Sequence, residues 1–180
     1  LEGLVDEKLV LLNFYIGKTK TRESSGDIYN ELIVFNTNKI TTPPKWLKNH
    51  RNNEYDFAYQ DSENYLYLYS NKGDLFWKKK LSSKIIGEIQ QVDLYKNGRL
   101  QMAFITSDKF YIIDRNGSTV QPFEISIKNS NNINRLSIFD YENDKNYRFL
   151  ISQDNYMKMY DSKGRTVTGF DPDSLNSDII

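Results

Sequence analysis

Apolar and polar residues alternate along most of this chain with the two-residue period of a β-strand. The clearest run is Tyr65–Tyr69, in which tyrosine and leucine take turns. Comparable short runs occupy residues 100–105, 110–113, 147–152 and 157–160. Because no stretch keeps a helical period over a helix-like length, we expect an all-β chain.

An internal repeat organises the second half of the chain. Residues 93–123 align without a gap on residues 140–170, at an offset of 47 residues. The identical positions are Asp93/Asp140, Asp114/Asp161, Gly117/Gly164, Val120/Val167 and Phe123/Phe170. A partial copy at 65–81 places Gly73 where Gly117 and Gly164 fall. A period of this size is typical of one antiparallel four-stranded blade of a β-propeller.

Each copy predicts a strand, a polar turn, a second strand, a glycine turn and a final strand. The final strands are expected at 75–79, 119–123 and 166–170, and the innermost strands at 89–94 and 136–141. The glycines of the turns are Gly73, Gly117 and Gly164, where we expect a positive φ. Asp93 and Asp140 end the presumed inner strands, and Asp114 and Asp161 open glycine turns. We expect these four carboxylates to accept hydrogen bonds from the backbone of the turns and to have no catalytic role.

The chain is predicted to be a single propeller-type segment over 1–180, with blade-like units at about 1–56, 57–88, 89–135 and 136–175. In its first third, 9–16 and 28–35 are strand candidates, 17–27 reads as an exposed loop, and 38–53 as a connection. The tail from 171 is polar. Propellers close with about four to eight blades. The alternatives are therefore part of a larger propeller, a homodimer that closes one ring, or an open stack of sheets.

Composition narrows the classes of partner. The chain carries 24 basic and 24 acidic residues, so its net charge of zero gives no reason to expect nucleic acid or an anionic membrane surface. Its 13 Tyr and 10 Phe suit pleated, half-buried strands. Without cysteine, it has no disulfide or thiolate metal site. The sequence has no run of about 18 consecutive apolar residues, so we predict no transmembrane segment in it.

Motifs for catalysis and phosphate binding are incomplete. The only histidine, His50, lies in a polar run and reads as a loop residue that makes a backbone hydrogen bond. Gly17-Lys18-Thr19 resembles the end of a phosphate-binding loop, but Leu12 stands where that motif needs its first glycine. We therefore assign no catalytic residue and no nucleotide. Carboxylate pairs for glycoside hydrolysis depend on distances that a sequence does not give.

A calcium loop is the other pattern to weigh. Asp140, Glu142 and Asp144 alternate as the first oxygen ligands of such a loop do. The ninth position, where propeller-type calcium repeats carry an aspartate, is Arg148 here and Gln101 in the sister copy. A cation at that position disfavours a metal, so we expect solvated turn residues and no cofactor.

Two tryptophans and a lysine run are candidates for surface roles. Trp46 and Trp77 could form a carbohydrate-stacking surface, or they could pack between blades, where large aromatic rings fill space well. Lys78-Lys79-Lys80 ends a predicted strand, and lysines of this kind protect a sheet edge from pairing with other chains.

The segment 71–77, Asn-Lys-Gly-Asp-Leu-Phe-Trp, is similar to the repeat of PQQ-type propellers, in which a turn glycine precedes an apolar residue and a tryptophan. The later copies have Gln121 and Thr168 in place of Trp77, which departs from the quinoprotein pattern. A second resemblance is carried by Asn49-His50, Gln60-Asp61, 73–77, 114–117, Asp140-Tyr141 and Tyr147-Arg148. On these residues the chain, over roughly 30–170, more closely resembles a Bacteroidetes-type group of large propeller-containing envelope proteins.

The resemblance implies a β-propeller fold, WD40-like or PQQ-like in its repeats, and a bacterial envelope location, periplasmic or at the outer membrane. It implies no established activity. We therefore expect a non-catalytic binding or scaffolding module whose rim or channel holds a protein partner. The alternative is a glycan-binding or hydrolytic propeller, or a degenerate quinoprotein.

Overall fold

The computed structural model describes residues 38–127, 133–153 and 156–168. In these ranges the chain forms eleven β-strands and no helix, and every pairing between strands is antiparallel. The predicted all-β class is therefore confirmed for this part of the chain. The strand candidates at 9–16 and 28–35, the loop at 17–27 and the tail from 171 lie outside the described residues.

The strands form three sheets, and in each sheet every strand pairs with the next one along the chain. Sheet I contains β1 (Lys45–Lys48), β2 (Tyr55–Gln60), β3 (Tyr65–Tyr69) and β4 (Leu75–Lys80). Sheet II contains β5 (Ile85–Val92), β6 (Gln101–Thr106), β7 (Lys109–Ile113) and β8 (Thr119–Ser126). Sheet III contains β9 (Ile133–Phe139), β10 (Arg148–Gln153) and β11 (Tyr156–Asp161). After β11, Thr166 bridges back to Tyr160, at the first residue of the final strand predicted there.

The strand β1 corrects one prediction. The sequence predicts a connection over 38–53, and this prediction was wrong for Lys45–Lys48, which pair with β2. Leu47 is buried in the core, and Trp46 lies opposite Phe57. The alternation in Lys-Trp-Leu-Lys covers only four residues, and so short a run cannot be distinguished from a loop by its period.

The sheets stack face to face in chain order. One core between sheets I and II includes Leu47, Ala58, Leu66, Leu68, Ile89, Met102, Phe104, Tyr111 and Ile113. A second core between sheets II and III includes Val92, Ala103, Ile105, Phe110, Ile112, Phe123, Leu136, Phe149 and Ile151. The first strands lie side by side, β1 near β5 and β5 near β9.

Strand β6 shows why the middle sheet has a nearly continuous apolar run. Phe104 faces sheet I and Ile105 faces sheet III, and all six residues of β6 are buried. A strand covered on both faces has no solvent side, so the alternation expected of a half-buried strand disappears. The burial of one large apolar side chain contributes about 1.5–3 kcal/mol, which makes this double contact a main source of stability.

Glutamine side chains join sheet I to sheet II. The Gln60 Oε1 accepts the Ile85 N–H at 2.8 Å, and its Nε2 donates to the Ser83 carbonyl at 2.9 Å. Gln91 makes the same two bonds to the backbone of Lys48, at 2.7 and 3.0 Å. A side-chain amide carries both a donor and an acceptor, so it satisfies backbone groups that no strand pairs.

Strand β4 forms an edge of sheet I and carries the lysine run. The ammonium groups of Lys78 and Lys80 lie 5.1 and 4.7 Å from the centre of the Tyr65 ring. Lys79 instead donates to the carbonyl of Gly117 in sheet II, at 3.1 Å. The run therefore places positive charge along a strand edge and adds one bond between sheets.

The meander places alternate connections at opposite ends of the stack. The loops β1–β2, β5–β6 and β9–β10 share one end with the turns β3–β4, β7–β8 and the turn after β11. We call this end the loop end. The hairpins β2–β3 and β6–β7 and the connection at 81–84 lie at the opposite end. Every predicted aspartate and glycine site belongs to the loop end.

Candidate functional site

Two aspartates organise equivalent loops of sheets II and III. Asp93 accepts the N–H groups of Asn97 and Gly98 at 3.0 and 2.8 Å. Asp140 accepts those of Asp144 and Lys145, each at 3.1 Å. The acceptor and donor positions are offset by the same 47 residues as the sequence repeat. In both loops one carboxylate therefore fixes the backbone four and five residues further on.

Both loops have a residue with left-handed backbone at the equivalent position, but the residue type differs between them. Gly98 has φ 79°, and the corresponding residue of the next sheet is Lys145, with φ 64°. A side chain in this region costs about 1–2 kcal/mol. The Lys145 ammonium reaches back to Asp93 and donates to its Oδ2 at 2.5 Å, so this unusual residue links sheet III to sheet II.

The carboxylate of Asp93 receives its hydrogen bonds and its counter-charge from groups of the protein. Burial raises the pKa of its carboxyl, but hydrogen bonds from Lys145 and from the loop amides outweigh burial and hold the pKa below its usual value. At the ninth loop position the Gln101 amide bonds to Leu94 N–H and Arg99 C=O. Within the described ranges, no group of three or more potential ligands is placed to hold a metal ion.

The three glycine turns share one geometry. Gly73, Gly117 and Gly164 have φ of 90°, 86° and 75°, and each donates its N–H to the carbonyl three residues earlier. Asp161 accepts the N–H groups of Lys163 and Arg165, both at 2.9 Å. Asp114 accepts only the adjacent Arg115 N–H, at 2.8 Å. Asp161 therefore accepts more backbone N–H groups of its turn than Asp114 does.

Trp77 lies between sheets I and II. Its Nε1 donates to the Arg115 carbonyl at 2.7 Å, and its ring covers Gly117 so closely that a Cβ there would lie 3.1 Å away. Pro122 covers Gly164 of sheet III in the same manner. The indole of Trp77 thus belongs to the contact between sheets I and II.

Trp46 has a different environment. It lies on β1, is 41% exposed, and packs edge to face on Phe57 with ring centres 5.8 Å apart. Of the two tryptophans singled out as surface candidates, Trp46 is the more exposed.

An ion pair that the sequence analysis missed joins sheets I and II at the loop end. The Nη2 of Arg115 donates to the Oδ2 of Asp56 at 2.5 Å, and both side chains are largely buried. Burial raises the pKa of the Asp56 carboxyl above its usual value, although the positive charge of Arg115 opposes this. The Phe76 ring covers the guanidinium at 4.7 Å. A crevice beside the pair, lined in part by Gln91 and Met102, has room for little more than a water molecule.

His50 lies beside this pair and joins two loops. Its Nδ1 accepts the Leu100 N–H at 3.2 Å. Burial lowers the pKa of the imidazole, and the charges of Arg115 and Arg51 lower it further. The imidazole serves as a hydrogen-bond acceptor between sheets, and the lowered pKa favours the neutral form that this bond requires.

Exposed apolar side chains collect at the loop end. Six large hydrophobic residues of the described part are exposed, and five of them lie in or directly beside the loop-end connections. They are Tyr55, Leu75, Phe76, Tyr95 and Tyr141. Tyr141 is 74% exposed and Tyr95 is 51% exposed. An accumulation of aromatic rings on one side of a protein is typical of an interaction surface.

The opposite end has a hydroxyl cluster of structural character. The Asp108 Oδ1 accepts hydroxyl groups of Ser82, Ser83 and Thr106 at 2.8, 2.6 and 2.9 Å. Burial raises the pKa of Asp108, but these hydrogen bonds outweigh burial and leave the pKa below its usual value. A lowered pKa makes a carboxylate a weaker base. The hydrogen bonds of the cluster attach the 81–84 connection to the β6–β7 hairpin.

No protein-family model matches this chain, and no curated protein matches it significantly. Among the described residues, no helix is long and apolar enough to cross a membrane. The candidate site is therefore defined by its own geometry, as an aromatic and charged surface at the loop end.

Proposed function

We propose that the three sheets are blades of a partial β-propeller. Three observations support this arrangement: each sheet is a meander, the sheets stack face to face, and their first strands lie side by side. Sheets I and II have four strands each, and the bridge at Thr166 begins a fourth position beside β11. A closed ring needs more blades. These would come from a longer chain or from a second copy.

We further propose that the module binds or scaffolds a protein partner without catalysis, as part of a bacterial envelope protein. The observation that carries the proposal is the set of exposed aromatic residues at the loop end. Tyrosine and arginine are the residue types that dominate binding energy at protein interfaces, and both occur here. The envelope location is supported by the resemblance of the sequence to propeller-containing envelope proteins.

Photo-cross-linking in the cells that make the protein tests this function. A benzophenone amino acid replaces Tyr95 or Tyr141 at the loop end, and Lys84 at the opposite end serves as the control position. We expect discrete adducts from the two tyrosine positions only, with peptides of a second protein identified by mass spectrometry. Adducts in equal amount from both ends, or adducts that contain sugar and no second peptide, would contradict the proposal.

A further inference from the structure

Two arginines at the loop end have no acidic partner among the residues that the structure describes. Arg51 lies in the β1–β2 loop and Arg99 in the β5–β6 loop, and both are exposed. The five ion pairs of the described residues use other side chains, and neither guanidinium makes a hydrogen bond there. Two unpaired guanidinium groups on adjacent loops constitute a local excess of positive charge.

The backbone of each arginine is fixed although its side chain is free. The Arg51 N–H donates to Asn49 Oδ1 and the Arg99 N–H to Asn97 Oδ1, each at 3.0 Å. The bond from Leu100 to His50 then ties one loop to the other. The two guanidinium groups therefore project from backbone positions whose separation is set by the fold, which lowers the entropy cost of binding.

Two buried acidic side chains near this patch are already paired with cations. Asp56 pairs with Arg115, and Asp93 pairs with Lys145. Because its Nδ1 accepts a hydrogen bond, neutral His50 carries its proton on Nε2 and adds a donor beside the arginines. The exposed ring of Phe76 covers the guanidinium of the buried ion pair. The patch thus combines hydrogen-bond donors for an anion with apolar contact area.

We propose that Arg51, Arg99 and His50 form the recognition site for an acidic segment of a partner protein, in which the carboxylates of Asp or Glu side chains bind the two guanidinium groups. This inference rests on the proposed binding function and names the chemistry of the partner. A carboxylate matches the planar fork of arginine and accepts two N–H groups from it.

The wider surface favours a short acidic segment over a nucleic acid. Glu54, in the same loop as Arg51, and Glu142 are exposed at the same end, so negative charge is interspersed with positive charge on this surface. A phosphate backbone repeats its charge along its whole length and is repelled by such acidic side chains. An acidic peptide segment can place its few charges on the arginines alone.

The test uses the full chain labelled with ¹⁵N and two capped peptides. One peptide is rich in glutamate around a central phenylalanine, and in the other every glutamate is glutamine. We expect the glutamate peptide to shift the amide signals of residues 50–52 and 98–100, and to bind about tenfold more tightly than the glutamine peptide at low salt. The double variant Arg51→Gln/Arg99→Gln should abolish this preference.

The matched control is Lys72→Gln/Lys163→Gln, which removes the same charge from two exposed turn positions of the loop end. It should keep the preference for glutamate. Equal affinity for both peptides, with shifts around Tyr95 and Tyr141, would overturn the acidic site and leave the binding function intact. Absence of shifts at 50–52 and 98–100 would overturn the acidic site, as would tighter binding of a thymidine oligonucleotide than of the glutamate peptide.

Discussion

The indole ring of Trp77 lies directly over Gly117 of the neighbouring sheet. The Nε1 donates to the carbonyl of Arg115 at 2.7 Å, and the missing Cβ of Gly117 is what allows the ring to approach. The side chain of Arg115, in the same turn, forms an ion pair with Asp56. One turn of sheet II thus accepts a hydrogen bond from a ring of sheet I and forms an ion pair with the same sheet, so this turn joins the two sheets at the loop end.

Alanine at the covered glycines should destabilise the protein more than alanine at an open one. At Gly98 a Cβ meets nothing within 4 Å, so Gly98→Ala should cost only the positive-φ strain, about 1 kcal/mol. Gly164→Ala also brings a Cβ to 2.7 Å from the Pro122 ring, and Gly117→Ala brings one to 3.1 Å from Trp77. Each should cost about 1–3 kcal/mol more than Gly98→Ala. Urea unfolding measures the difference, and equal costs at all three positions would show that these rings do not hold the sheets together.

The buried pair of Asp56 and Arg115 should behave as a coupled unit. Asp56→Leu alone leaves a buried guanidinium without its counter-charge and should cost about 3 kcal/mol. The double variant Asp56→Leu/Arg115→Met should recover most of this loss, because apolar residues of similar volume avoid the desolvation of two charges. Free energies of unfolding of the parent, the two single variants and the double variant form the cycle. Simple additivity of the two losses would contradict the pairing.

Loss of the Lys145 ammonium should change how the protein responds to acid. The lowered pKa of Asp93 means that its carboxylate stabilises the fold above the unfolded pKa of about 3.9, and that this stability is lost as the pH falls through the folded value. Lys145→Met removes one cause of the lowering, so the Asp93 pKa should rise and acid unfolding should begin at a higher pH. A titration of the Asp93 carboxyl carbon by NMR measures this, with Lys163→Met as the control. An unchanged Asp93 titration in Lys145→Met would argue that the ion pair does not form.

The two turn aspartates should differ in their contribution to stability. Asp161→Ala removes an acceptor from two backbone N–H groups and should cost about 1–2 kcal/mol. Asp114→Ala removes the acceptor of a single, adjacent N–H, so its cost should be smaller. Thermal melts of both variants test the order. The opposite order would mean that the hydrogen bonds of these turns do not set their stability.

The sequence predicted structural features correctly where the contacts that determine them are local. Asp93 and Asp140 bond to backbone four and five residues ahead, so a repeat in the sequence reports directly on a repeat in the structure. The positive φ of the turn glycines was predictable for the same reason. Strand β1 was missed because four residues carry too little periodicity.

The central ion pair could not have been predicted in this way. Asp56 and Arg115 are separated by 59 residues, and they meet only because sheet II stacks on sheet I. In the sequence, Arg115 reads as an ordinary residue of a glycine turn. The partners of Lys145 and Trp77 also lie on a neighbouring sheet, so the position of these side chains depends on packing that no local pattern encodes.

Calorimetric titration with the partner identified by cross-linking tests most directly whether the loop end binds a protein. The variants Tyr95→Ser and Tyr141→Ser remove exposed rings, so both should stay folded, and the melting temperature should fall only for Tyr141→Ser, whose ring stacks on Phe139 at 5.4 Å. We predict that each weakens the affinity about tenfold or more, as expected for aromatic residues at an interface, while Trp46→Ser on β1 retains it. An unchanged affinity in both tyrosine variants would contradict the claim.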